Sequence, residues 1–187
     1  NVKVPIQNIQ KAKELLKKAG YDEKHPFKFE IVTSNSSPVR PYAAEILQHQ
    51  LKKAGVIVTL RVMEWQAFLN MVVFPHKFDA VLLGWGLSPT PDPYLFWHTD
   101  SDKKGGFNLV GYNNPKINKM IEESQSIIDR DKLAKIWQEM FQIIADDDPY
   151  LFLFIPNSIT AVNKNIKHIE PRLSGIWHNY IKWEKNE

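Results

Sequence analysis

FKFEIVTSNSSPVRPYAAEILQHQLKKAGVIVTLRVM, residues 27–63, is the stretch on which the fold turns. Residues 27–33 alternate apolar and polar side chains, the period of a half-buried strand. Residues 34–38 are a cluster of turn formers. Residues 42–54 carry apolar side chains at helical spacing and stop at Gly55, a residue suited to the left-handed backbone of a helix end. Residues 56–63 are β-branched and read as a second strand. Strand, helix and strand thus follow one another within a short span.

The same alternation extends outward. Upstream, Ile9, Ala12, Leu15, Leu16 and Ala19 share one helical face, and Gly20 closes it. Downstream, residues 65–73 predict a short helix and residues 78–85 (FDAVLLGW) a buried strand. A Pro-rich loop at 86–93 leads to a short helix at 94–98. Asn114-Pro115 is a helix start, with proline in the first helical position. The apolar face of that helix is Ile117, Met120, Ile121 and Ile128. Asp131 is placed to cap a further helix, whose stripe is Leu133, Ile136, Trp137, Met140, Phe141 and Ile144. Residues 150–155 (YLFLFI) are wholly apolar and predict a central strand. The remainder, 166–183, reads as irregular with short extended pieces. Alternating elements of this kind predict an α/β layer fold, a mixed sheet flanked by helices. With 187 residues the chain is expected to form a single domain, 1–187.

Composition narrows the function. The net charge is only +3 and the lysines are dispersed, which argues against a nucleic-acid partner. Without cysteine there is no disulfide, thiolate metal site or thiol catalysis. No apolar run is long enough to span a bilayer as a helix. The N-terminus NVKVPIQNIQ lacks the basic and apolar regions of a signal peptide and has no initiator Met, so the chain reads as a processed protein or a piece of a longer one. The repeated LKKAG, at 16–20 and 51–55, reads as two basic helix ends closed by glycine, where cations suit the helix dipole. Lys11, Lys13, Lys17 and Lys18, interleaved with Glu14, read as a solvated helix face.

A search for catalytic and metal-binding patterns finds little. There is no nucleophile elbow and no P-loop. Gly84-Trp85-Gly86 lacks the third glycine of a phosphate cradle. The six histidines form no paired metal motif, and neither a metal nor a cofactor is expected. Asp146, Asp147 and Asp148 read as a solvated helix end and not as a hard-cation site. Ser88 with His98 is the sole nearby nucleophile–base pairing, and no carboxylate is placed to orient it. Residues 78–98, FDAVLLGWGLSPTPDPYLFWH, are harder to read as scaffold. In open α/β sheets ligands lie beyond the carboxyl ends of strands. Gly84 and Gly86 admit close approach to the backbone, Trp85 offers a flat apolar wall, and Pro89, Pro91 and Pro93 stiffen the loop. A stiff turn around a core Trp fits these residues equally well.

At this point the chain resembles a known family, the family 5 extracellular solute-binding proteins that serve dipeptide, oligopeptide and nickel ABC importers. Five pieces match in order: KAKELLKKAGY, EILQHQLKKAGVIVTLRVMEWQAFL, FDAVLLGWG with PDPYLFWH, GGFNLVGYNNPKINKMIEES, and DRDKLAKIWQEMFQIIADDDPYLFLFIP. Family members are much longer and two-lobed, so the resemblance implies that this chain is the C-terminal lobe of a longer protein, a lobe of the type II periplasmic-binding-protein kind. It implies ligand capture between two lobes by hinge closure, followed by docking on a membrane permease, with no bond made or broken. The implied partners are a peptide or peptide-like ligand, the permease and the N-terminal lobe. The implied location is periplasmic or extracellular, with a lipid anchor on the part of the protein outside this chain. The ligand-binding set it implies is Trp65, Gly84, Trp85, Gly86, Leu87, Ser88 and Asp92. Peptide-binding members often place an Asp at the position of Ser88, where it pairs with the ligand's α-amino group. Asp92 matches the Asp of the family's Asp-Pro pair and has a structural reading as well. An unpaired buried ammonium is costly, so Ser88 leaves the ligand class open. An oligosaccharide ligand, or a sensor or interaction domain using the same fold, stands as the alternative.

Overall fold

The computed structural model describes residues 2–3, 6–86, 92–157, 159–172 and 175–185. It divides into two compact units. The first comprises Asn1–Trp85 and Pro93–Pro149, the second Gly86–Asp92 and Tyr150–Glu187.

The first unit is built on the strand–helix–strand segment of the sequence. Strand β1 (Lys28–Ser34) leads through the serine turn into helix α2 (Val39–Lys53), which follows an N-terminal helix α1 (Ile9–Lys18) in the chain. Strand β2 (Ile57–Met63) returns parallel to β1, with Lys28 opposite Ile57 and Ser34 opposite Met63. Strand β3 (Ala80–Val81) pairs parallel on the other side, Ile31 opposite Ala80 and Val32 opposite Val81. The order is β2-β1-β3, with β1 central and all three parallel.

Parallel strands are normally covered on both faces, and the burial pattern agrees. Ile31 joins Ala44, Val56 and Val58 in one apolar cluster, onto which Leu16 of α1 and Leu47 and Leu51 of α2 pack. Its neighbour Val32 points the other way, into a cluster with Phe68, Val72, Val73 and Leu109. This second cluster is supplied by a short helix α3 (Trp65–Phe68) that widens into a π-type turn at Leu69–Val73. The expected helix at 65–73 is therefore present but changes hydrogen-bond period midway.

Three later helices complete the unit: α4 (Tyr94–Trp97), α5 (Pro115–Gln125) and α6 (Arg130–Asp147). Asn114 caps α5 by accepting from the amides of Lys116 and Ile117, with Pro115 at the first helical position as read from the sequence. Ile117, Met120 and Ile121 are buried, as are Met140 and Ile144 of α6, and the two helices pack together. The cap of α6 is Asp129, which accepts from the amides of Asp131 and Lys132. Asp131 instead occupies the first turn. Ile128 is 96% exposed because the helix has ended at Gln125, so it does not belong to the apolar face assigned to it.

Two strand expectations need correction. Only Ala80–Val81 of the run 78–85 is laddered, and its residues are half-buried. Residues 150–155, expected as a central strand, enter no sheet and are exposed, Leu151 by 73% and Ile155 by 95%. Apolar composition makes a strand only where a ladder partner exists, and none lies beside this run among the described residues.

The second unit holds an antiparallel pair, β4 (Ile166–Lys167) with β5 (Glu184–Lys185), joined through a 3-10 segment at Trp177–Lys182. Asn179 ties it together: its Nδ2 donates to the His168 carbonyl at 2.7 Å, and its Oδ1 accepts from Trp183 Nε1 at 3.0 Å.

Candidate functional site at the carboxyl ends of the strands

In the parallel sheet of the first unit, the three strands end at the same edge, and that edge carries the aromatic and polar groups of interest. β2 runs into Glu64, whose Oε2 accepts from the Ala67 amide at 3.0 Å and caps α3. Hydrogen bonds from the amides of Gln66 and Ala67 hold the Glu64 carboxyl below the ordinary range. This cap fixes the turn that starts at Trp65, and Trp65 packs half-buried against the Phe68 cluster with its ring 6.0 Å from that of Phe68.

Beyond β3 the chain keeps its alternation although the ladder has stopped. Val81, Leu83 and Trp85 pack on the Phe68 cluster, whereas Ala80 and Leu82 pack on the Ile31 cluster. The Leu82 amide donates to the Val32 carbonyl at 2.9 Å, and Thr33 Oγ1 donates to the Leu82 carbonyl at 2.9 Å, which carries the extended geometry onward. Trp85 therefore lies on the same sheet face as Trp65. Its ring meets Phe96 edge-on at 4.8 Å and Phe107 at 5.4 Å, and the two phenyl rings are 6.0 Å apart. Phe107 is 37% exposed, so this aromatic group reaches the surface. Among the described residues a Cβ at Gly84 would meet nothing within 4 Å, so none of their atoms requires glycine there.

The end of β1 adds a cation. Arg40 Nη1 donates to Ser34 Oγ at 3.1 Å and to Ser36 Oγ at 2.9 Å, and the guanidinium lies 5.3 Å from the centroid of the Trp65 ring. Ser34 is fully buried.

Of the residues singled out from sequence, Trp65, Gly84 and Trp85 lie in the first unit, on or beside one cluster. Gly86 and Asp92 belong to the second unit, and both are exposed. Leu87 and Ser88 lie outside the described residues. Sequence reading missed Arg40, Ser34, Ser36, Phe96 and Phe107. The serines were legible only as a turn, and Arg40 fell between that turn and the helix expected from residue 42, whereas α2 begins at Val39 and takes Arg40 into its first turn.

His98, the candidate base, has both ring nitrogens engaged. Nδ1 accepts from the Asp100 amide at 3.1 Å and Nε2 is 3.2 Å from Glu122 Oε1, so the tautomer is Nε2–H. The ring is buried and stacks on Tyr94 with centroids 4.2 Å apart. It serves as a tie between α4 and α5. The acidic run behaves as a helix end: Asp147 Oδ2 accepts from Tyr112 Oη at 2.6 Å and Asn114 Nδ2 at 2.9 Å, bonds that lower its pKa. Asp148 takes the left-handed conformation that ends α6. Among the described residues no three His, Cys, Asp or Glu side chains gather as a metal site, and no helix is long and apolar enough to cross a membrane.

Helices on both faces of a parallel sheet, with an aromatic edge where its strands end, make an α/β lobe whose strand-end edge is the candidate site. Residues 1–107 match the family described as bacterial extracellular solute-binding proteins, family 5 Middle, and the chain belongs to that family. It is 34% identical over 187 residues to the oligopeptide-binding protein AppA of Bacillus subtilis, an alignment covering 94% of this chain and 34% of that protein. The solved structure of AppA in complex with a nonapeptide superposes with a TM-score of 0.84 at 33% identity, over 100% of this chain and 40% of that one. The nickel-binding protein NikA of Staphylococcus aureus is 27% identical over 176 residues, 94% of this chain and 35% of that protein. The chain thus spans about a third of the length of the curated relatives it matches. These relatives are named as binding proteins, not enzymes, and the fold is that of the type II periplasmic-binding-protein lobe anticipated from the sequence.

Proposed function

We propose that the protein carrying this chain is the solute-binding component of an ABC importer, and that residues 1–187 supply the second of two lobes that close on a peptide or peptide-like ligand. The observation that carries this reading is the placement of Trp65 and Trp85 on one apolar cluster at the carboxyl ends of parallel strands, next to an open glycine, Gly84. Ligands of open α/β sheets bind at that edge. Rigid aromatic walls give contact area at low entropic cost, and water in the remaining space tolerates varied ligand side chains. Gly86, Leu87, Ser88 and Asp92 continue the binding loop, with Ser88 standing where a carboxylate would pair with a peptide's amino group. The first lobe supplies the facing wall, the permease receives the closed form, and the protein acts outside the cytoplasmic membrane without breaking bonds in its cargo. The similarity to AppA supports a peptide over a sugar or a signalling role.

Thermal melting of the full-length protein tests this reading. The panel holds peptides of two to nine residues, their N-acetylated forms, nickel–histidine complexes and oligosaccharides. A ligand that binds the folded state raises the melting temperature by mass action. Stabilisation by free and acetylated peptides alike is expected, since Ser88 offers no charge to the amine. A response to sugars or nickel complexes alone overturns the peptide assignment, and silence across the panel overturns transport binding.

A further inference from the structure

We infer that the first unit docks on a bilayer surface bearing anionic headgroups, through a pole of lysines at the edge where its strands begin. The inference goes beyond the binding reading and does not rest on what the cleft holds. Helices α1 and α2 each precede a strand and run against it, so both end where β1 and β2 start. Leu16 and Leu51, in the last turns of the two helices, pack on one apolar cluster with Phe27 and Val56, the residues that lead into the strands. The Ile57 amide donates to the Phe27 carbonyl at 2.9 Å, which sets the two strand starts side by side. Lys17 and Lys18 follow the first leucine, Lys52 and Lys53 the second, Lys28 follows Phe27, and Lys24 lies in the connection to β1. All six are exposed.

The pole carries unpaired charge. Among the described residues none of these lysines lies within ion-pair distance of a carboxylate. Elsewhere in the unit Arg61 pairs with Glu30 and Lys116 with Glu139, each at 2.8 Å. Cations suit helix C-termini, which accounts for the lysines at the ends of α1 and α2 but not for Lys24 and Lys28. Asp22, Glu23 and two helix ends of about half a negative charge each offset part of the total, leaving an excess of about three. The net charge of the whole chain is +3, so this one pole holds as much as the entire molecule. Lysine is a compact charge on a flexible stem and lacks the fork that grips a single phosphate. A spread of lysines therefore suits a field of headgroups better than one bound anion. Exposed apolar side chains accompany them: Leu15 in the last turn of α1, Tyr21 just after it, and Ile57 opposite Lys28. Such residues settle at the headgroup boundary, where an amphipathic ring like that of Tyr21 is favoured. Trp65 and Trp85 lie at the other, carboxyl edge of the sheet, so this contact leaves the candidate binding edge open.

The test is co-sedimentation of the full-length protein, prepared without covalent lipid, with vesicles of phosphatidylcholine alone or with roughly a third phosphatidylglycerol. At low salt the wild type is expected to partition at least about tenfold better onto the anionic vesicles, and to be released as salt screens the charges. The variant Lys17→Gln/Lys18→Gln/Lys52→Gln/Lys53→Gln is expected to lose about tenfold or more of that partition. A variant of equal net charge, Lys103→Gln/Lys104→Gln/Lys132→Gln/Lys135→Gln, is expected to bind as the wild type does. Both are expected to melt with the wild type, since every substitution is on an exposed side chain. Equal partition of the wild type onto the two kinds of vesicle, or binding that persists at high salt, overturns the docking surface without recourse to any variant. Equal losses in the two variants assign the effect to net charge and overturn the pole. None of these results touches the binding reading, which the melting panel decides in the absence of vesicles.

Discussion

At the scale of single residues, the proposed binding edge is defined as much by what is missing as by what is present. Among the described residues, no atom would lie within 4 Å of a Cβ placed at Gly84. Substitutions at such surface positions normally change stability by no more than about 0.5 kcal/mol. Gly84→Ala is therefore expected to melt with the wild type but to bind ligand more weakly, because the methyl group occupies the approach to the backbone. Wild-type affinity in a titration of that variant would remove Gly84 from the site. Gly106 is the opposite case: a Cβ there would run into the Ser101 carbonyl oxygen, so its need for glycine is internal. Two glycines that look alike in sequence thus have different physical causes, one facing solvent and one facing backbone. His98 makes a related point. As a lone histidine near Ser88 it suggested a base, yet burial, stacking on Tyr94 and contacts at both nitrogens make it a structural tie.

At the scale of elements, the site depends on α3 and the end of β3 sharing one cluster. Phe68 is fully buried at its centre, and both Trp65 and Trp85 pack against that cluster. Truncating a buried Phe typically costs about 3–5 kcal/mol. Phe68→Ala is expected to lose stability in that range by urea denaturation, and to loosen both tryptophans together, seen as a red shift of their fluorescence. A loss below about 1 kcal/mol, the size of an ordinary surface substitution, would show that the cluster does not hold this edge. The strand, helix and strand of residues 27–63 were legible because their periodicity is written in neighbouring residues. The extent of β3 was not. Residues 78–85 have the apolar content of a buried strand, but only two of them find backbone partners in the ladder, while the alternation of faces continues to Trp85. Sequence encodes which face a side chain takes more securely than how far pairing runs.

At the scale of the whole molecule, the exposed run 150–155 is the main departure from expectation. Leu151, Phe152, Phe154 and Ile155 expose large apolar surfaces in one short segment. Such patches commonly mark an interface. Replacing Leu151 and Ile155 by Ser in the isolated chain is expected to reduce dye binding and self-association while leaving its melting temperature unchanged. A substantial fall in melting temperature would show instead that the run is core. Family membership and the order of helices and strands up to α6 were determined by the sequence alone, because each rests on local pattern or on a contiguous motif. The tertiary structure decided the rest. Arg40, Ser34 and Trp65 meet because the parallel register sets Ser34 beside Met63, bringing the end of β1 to the start of α3. No spacing in the chain encodes that meeting. It depends on which strands pair and in what register, and those are fixed by the burial of both sheet faces together.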